Sequence, residues 1–216
     1  MARETEIKLR ITDLAGFRRA LAKLGARSVA LVGGRVHEQK ILFDTASEKL
    51  KKRGQLLRIR TEAPAVRGKG GKRIGRVLLT FKGPAGARET RDSGRGVHKV
   101  REELELQVSD GEALANIFHG LEMRPWFRYE KFRTTYRLPQ AQRWGKGLLI
   151  ELDETPIGTF VELEGPARAI DRAAKALGFS QRDYIVANYF VLYREECRRR
   201  GQKPGHMLFA KKNRRR

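Results

Sequence analysis

The stretch Glu4-Thr5-Glu6-Ile7-Lys8-Leu9-Arg10 decides how the fold is read. Strand side chains alternate with a period of two, so Glu4, Glu6, Lys8 and Arg10 share one face while Thr5, Ile7, Leu9 and Ile11 share the other. The pattern recurs along the chain. Arg58 and Arg60 alternate with Leu57 and Ile59, and Thr80 and Lys82 with Leu79 and Phe81. Arg101, Glu103 and Glu105 oppose Leu104 and Leu106, and Lys131, Arg133 and Arg137 share a further face. Glu151 and Asp153 alternate with Ile150 and Leu152, and Glu162 and Glu164 oppose Val161 and Leu163. Two architectures accommodate this. One is an open antiparallel sheet, wet on one side and covered by helices on the other. The other is a barrel of about eight strands whose apolar sides face outward to helices, leaving a tunnel lined by acids and bases. Carboxylates concentrate on some strands and guanidinium groups on others, a segregation that points to roles rather than to solvation alone.

Between these strands, Asp13 is placed to cap a helix ending near Gly25, with Leu14, Phe17, Leu21 and Leu24 at helical spacing. Extended segments follow at 36–44, 55–62, 76–82 and 99–108, and Asp110 caps a second helix to about Gly120. The second half reads as strands near 127–138, 147–154 and 158–164, a helix at 167–177 and a final helix at 183–200. The expected class is α+β, dominated by antiparallel strands.

The 216 residues suit one large domain, and 40% hydrophobic content supplies a core. Lys and Arg outnumber Asp and Glu 47 to 25, a formal charge of +22, which favours a polyanionic partner without choosing one. Nine of these cations lie in the acid-free segment 198–216, read as a flexible basic tail; the body at 1–197 keeps +13. The lone Cys197 excludes an internal disulfide framework or a cysteine-rich metal site. No apolar run approaches the ~20 residues that span a bilayer, and the charged N-terminus has no signal-peptide core, so a cytoplasmic protein without a membrane anchor is expected.

Glu4-x-Glu6-x-Lys8 resembles the E-x-E-x-K opening of the CYTH superfamily, the triphosphate tunnel metalloenzymes. Phe43-Asp44-Thr45, Leu57-Arg58-Ile59-Arg60, Leu79-Thr80-Phe81-Lys82-Gly83-Pro84, Arg101-x-Glu103-x-Glu105, Glu130-Lys131-x-Arg133-x-x-Tyr136 and Gly158-x-Phe160-Val161-Glu162-Leu163-Glu164 extend the match, in order, over roughly 2–193. The resemblance implies an eight-stranded antiparallel tunnel with flanking helices. Matched by motif, Glu4, Glu6, Glu162 and Glu164 are the implied ligands of a divalent metal, with Glu103, Glu151 and Asp153 as further donors; hard carboxylate oxygens suit Mg²⁺ or Mn²⁺. Lys8, Arg58, Arg60, Lys82, Arg101, Lys131 and Arg133 match the family's phosphate-binding cations, with Lys8 and Lys82 as catalytic candidates; the arginines can hold phosphate bidentately.

The implied activity is metal-dependent processing of a triphosphate such as ATP or inorganic triphosphate. The motif wording resembles the class IV adenylyl cyclase-like branch, whose products would be cyclic AMP and pyrophosphate; a triphosphatase is the alternative. Family members commonly carry Tyr two residues before the Asp of the second-strand motif, where this chain has Leu42, which weakens a hydrolase reading that relies on a Tyr–Lys pair. A different class is a non-catalytic module binding RNA or polyphosphate through the basic hairpin at 63–75 and the tail. The carboxylates argue against it, since a pure anion binder gains nothing from acids in its groove. A homodimer is expected by analogy alone. His37, His98, His119 and His206 lack metal-ligand spacing and are left out of the site, and Tyr189 is expected as a core or plug contact.

Overall fold

The computed structural model describes residues 2–29, 34–65, 75–84 and 98–210; the expectations for the hairpin tip, for much of the 83–97 loop and for 211–216 lie outside the described residues. Among these, nine strands form one antiparallel sheet. They are β1 (Ala2–Ile11), the two-residue β2 (Arg27–Ser28), β3 (Arg35–Thr45), β4 (Leu56–Pro64), β5 (Arg76–Lys82), β6 (Lys99–Val108), β7 (Met123–Arg137), β8 (Leu149–Thr155) and β9 (Gly158–Glu164). Pairing runs β7-β3-β4-β5-β6-β1-β9-β8, and β7 pairs again with β8, so eight strands close into a barrel while β2 adds to the end of β7. The open-sheet alternative is thereby excluded.

Period two then assigns the faces. Ile7, Leu9, Ile150, Leu152, Val161 and Leu163 point outward and are buried under α1 (Leu14–Lys23) and α4 (Ala167–Ala176), through Phe17, Leu21, Ile170 and Ala173. Asp13 caps α1 by accepting from the Gly16 amide, as expected. A second outer layer places Phe118 of α3 (Gly111–Gly120) on Phe43 and Ile59. The short helix α2 (Lys49–Lys52) is held by Asp44, which accepts from the Leu50 and Lys51 amides.

One end of the barrel is stoppered. Inward-facing Leu42, Phe127, Tyr129 and Phe160 meet Tyr189 and Leu192 of α5 (Tyr189–Arg199) and Met207 in an apolar cluster. Here the structure departs from the sequence reading, which runs the last helix from 183. The Ser180–Asp183 capping box closes only a single 3₁₀ turn, and the chain then extends so that Ile185 exchanges two backbone hydrogen bonds of 2.9 Å with Lys8. Asn188 starts α5 by accepting from the Val191 amide. The segment read as a flexible tail also packs through 210: Met207 is fully buried, and its backbone bonds to Arg128 and Glu130 of β7. Among the described residues, both contacts fill strand edges that no other strand covers, because β6 leaves β1 after Glu6 and β8 meets β7 only from Phe132. An unpaired buried edge is costly, which is why the C-terminal segment orders.

Candidate active site: an acid wall facing a basic wall

The barrel interior encloses a cavity of about 250 Å³ lined by charged side chains from all eight barrel strands. Strand order sets its polarity. On the β8-β9-β1 side stand Glu151, Glu162, Glu164, Glu4 and Glu6, with Lys8 the one base of these three strands at the cavity. Across the ring, β3, β4 and β5 contribute Lys40, Arg58, Arg60 and Lys82. The two walls are opposite because β9 and β4 lie four places apart in an eight-membered ring.

Register puts like charges side by side on the acid wall, with Glu6 opposite Glu164 and Glu151 opposite Glu162. Cross-strand pairs of one sign are unfavourable, so compensation must come from neighbours. Lys8 Nζ lies 3.2 Å from Glu162 and 3.5 Å from Glu6, and Lys99 bonds Glu6 from the other side. Lys82 bonds Glu4 and lies 3.1 Å from Glu103. Burial alone would raise the Glu6 and Glu162 carboxyls, but Lys8 and Lys99 hold Glu6 below the usual range, while Lys131, Lys8 and Arg133 hold Glu162 well below it.

The remaining acids are undercompensated. Burial, then the Glu6 charge, pushes Glu4 up to about 7. Burial, then Glu151 and Glu4, pushes Glu164 up to about 8. Burial likewise raises Glu151, although Arg133 touches it. Among the described residues no three His, Cys, Asp or Glu side chains converge closely enough to hold a metal as they stand, because Glu4, Glu6 and Glu162 are turned to lysines. The donor chemistry nonetheless fits a hard divalent cation: carboxylate oxygens whose mutual repulsion is unrelieved on one wall.

Asp153, expected as a metal donor, is placed elsewhere. It does not line the cavity; it is 0% exposed and accepts from Lys131 at 2.6 Å, from Arg133 twice at 2.7 Å and from the Tyr189 hydroxyl at 2.7 Å. With four donors on two oxygens it fixes the cations and the stopper instead. Burial and the neighbouring Asp153 charge keep the Tyr189 phenol well above its ordinary pKa, so it remains a donor. Arg101 lines the cavity, but it also ties the wall to backbone carbonyls of Gly83 and Gly54. Of the basic wall, Arg60 bonds Glu105 at 2.8 Å and lies 3.0 Å from Glu62, whereas among the described residues the carboxylates paired with Arg58 lie farther off, at 3.9 and 4.0 Å.

The other expected residues, Glu103, Lys131 and Arg133 among them, gather at the cavity. Sequence reasoning missed Lys40, Lys99, Tyr129 and Asn188 there. Lys40 and Lys99 were within reach, since Lys40 shares the Glu38 face of β3 and Lys99 lies two residues before Arg101. Glu38 is buried between Lys40 at 2.7 Å and Lys131 at 3.6 Å.

A closed antiparallel tunnel with acids facing bases defines a class, and the comparisons place the chain within it. The family model for the CYTH domain matches residues 2–179, and the chain belongs to that family. A Methanocaldococcus jannaschii protein named as a candidate adenylate cyclase is 25% identical over 194 residues, covering 88% of this chain and 97% of its own. The PH1819 protein of Pyrococcus horikoshii shares the fold with a TM-score of 0.65 at 20% identity, over 89% of this chain and 99% of its own. An adenylyl cyclase candidate from Hippeastrum, reported to show a dominant triphosphatase activity, matches with a TM-score of 0.58 at 20% identity, over 93% and 97% of the two chains.

Proposed function

We propose that this protein is a metal-dependent enzyme acting on a triphosphate, with conversion of ATP to cyclic AMP and pyrophosphate as the leading reading. The observation that carries it is the opposition of walls: a polyphosphate with a divalent cation is the ligand whose charges satisfy both at once. Glu4, Glu6, Glu151, Glu162 and Glu164 would hold Mg²⁺ or Mn²⁺, with Glu103 beside them on β6. A bound ion of this kind lowers the pKa of an attacking oxygen and polarises phosphoryl oxygens. The chain does the rest. Arg58, Arg60, Lys131 and Arg133 grip phosphate oxygens, and Arg58 is the readiest because its own carboxylates are distant. Lys8 and Lys82, each suspended between two carboxylates, would neutralise charge developing on the leaving phosphates.

The relative from Methanocaldococcus jannaschii supports the cyclase reading. So does Leu42, which is buried in the apolar stopper and offers no hydroxyl to Lys82. A triphosphatase is the second reading, favoured by the activity reported for the Hippeastrum protein. Purified protein incubated with ATP or inorganic triphosphate and Mg²⁺ or Mn²⁺, with products separated by chromatography, tests both. Cyclic AMP with pyrophosphate, lost in Glu4→Ala/Glu6→Ala, is the expected result. Orthophosphate release instead selects the triphosphatase, and no turnover with either substrate refutes the proposal.

A further inference from the structure

The tunnel does not account for the charge of the molecule. Nine bases and seven acids line it, and the buried Glu38, Glu62 and Asp153 bring the acids to ten, so the interior holds no excess of positive charge. The formal +22 is therefore carried by residues elsewhere.

Part of this excess is gathered on the outside of α4 and the connection between β7 and β8. Arg168, Arg172 and Lys175 recur at helical spacing on α4, all exposed, opposite the face that buries Ala169, Ile170 and Ala173. The α4 acid, Asp171, is turned away to His98 and Tyr184. The guanidinium of Arg172 lies 4.7 Å over the ring of Trp144, and Gly147 abuts Pro166, so the helix and the connection form one surface. The connection folds around a cleft of about 640 Å³ whose charged lining is Arg137, Arg143 and Lys146 without an acid. Arg137 stands directly opposite Arg27 across β2 and β7, a like-charge pair that the fold does not require. Among the described residues, none of these cations forms an ion pair with a carboxylate, whereas Arg35, Arg76 and Arg200 elsewhere on the surface do.

We propose that this face binds the phosphate backbone of a single-stranded nucleic acid, separately from the tunnel. Unpaired cations around a cleft form a positively charged groove that can track a strand's phosphates, and Trp144, packed on the core, holds the Arg172 guanidinium in place beside it. A membrane surface is the poorer fit, because the exposed large apolar side chains a lipid interface would take up, such as Leu104, Leu106 and Ile117, lie elsewhere.

Fluorescence anisotropy with labelled 20-mers of RNA and DNA, titrated across salt, tests this on the full chain. Arg143→Ala/Lys146→Ala/Arg168→Ala/Arg172→Ala should weaken binding at least about tenfold at moderate salt and reduce the slope of log Kd against log salt by about 3, at ~0.7 per phosphate contact. Melting of the variant within a few degrees of wild type shows that it folds. Alanine at Lys211, Lys212, Arg214, Arg215 and Arg216 should retain most of the affinity, and excess Mg²⁺-triphosphate should not displace the strand. The proposal is overturned by wild-type affinity in the quadruple variant, by loss of all binding in the tail variant, by displacement with triphosphate, or by binding to anionic vesicles but to neither oligonucleotide.

Discussion

Replacing Asp153 with Asn keeps the shape of the side chain and removes its charge. Lys131 and Arg133 then lose the carboxylate they share, at 2.6 and 2.7 Å, inside a fully buried cluster. Breaking a buried ion pair from one side costs about 3–5 kcal/mol. The lower end applies here, because Arg133 keeps Glu151 and Glu162 and Lys131 keeps Glu38 at 3.6 Å. For a chain of this size, about 3 kcal/mol lowers the melting temperature by about 6–12 °C. Differential scanning calorimetry of the metal-free protein measures it, and titration of Mn²⁺ into the folded variant supplies the second readout. If Asp153 organises the cations, the variant melts early and still binds Mn²⁺ within a few-fold of wild type. A variant that melts within about 2 °C of wild type or higher, with Mn²⁺ affinity lost, would return Asp153 to the metal donors and refute the assignment.

Other outcomes follow from the same geometry. Glu4 and Glu164 have folded pKa values raised to about 7 and about 8, so the folded state holds protons the unfolded chain would release. Their contribution is fully present below the unfolded pKa near 4.5 and is lost as pH rises through 7 and 8. The metal-free protein should therefore melt at lower temperature at pH 8.5 than at pH 6, and Mg²⁺ should reduce the difference; a flat profile would contradict the undercompensated wall. Glu164→Gln removes the repulsion and should raise the metal-free melting temperature at pH 8.5 while weakening Mn²⁺ binding by calorimetry. Met207→Ala should cost about 2–5 kcal/mol, seen by urea titration, because a fully buried methionine leaves a cavity in the stopper. Lys82→Met should lower kcat by about 10²–10³-fold with a smaller change in KM, if it acts on charge that develops in the transition state.

The strands were legible in the sequence because a barrel that is charged inside and apolar outside inverts the usual pattern without weakening it. Period two sorted Glu4, Glu6 and Lys8 from Ile7 and Leu9 without knowledge of any partner strand. Strand order was not legible, and the polarity of the tunnel depends on it: the acids form a wall only because β1 runs between β6 and β9 and the ring closes from β7 to β8. Depth was not legible either. Alternation put Asp153 on the inner face but could not show that Lys131, Arg133 and Tyr189 would occupy both of its oxygens. The stopper lay further out of reach, since the break before α5 arises from the pairing of Ile185 with Lys8, 177 positions away, and local helical spacing carries no record of it.

Co-crystals grown with Mn²⁺ and a non-hydrolysable triphosphate, examined by anomalous scattering at the manganese edge, test the central claim most directly. The account predicts a manganese peak on the acid wall, bound by carboxylates from among Glu4, Glu6, Glu151, Glu162 and Glu164, with phosphate oxygens extending to Arg58 and Arg60. Manganese and triphosphate bound outside the barrel, with the lysine–glutamate pairs of the interior intact, would contradict it.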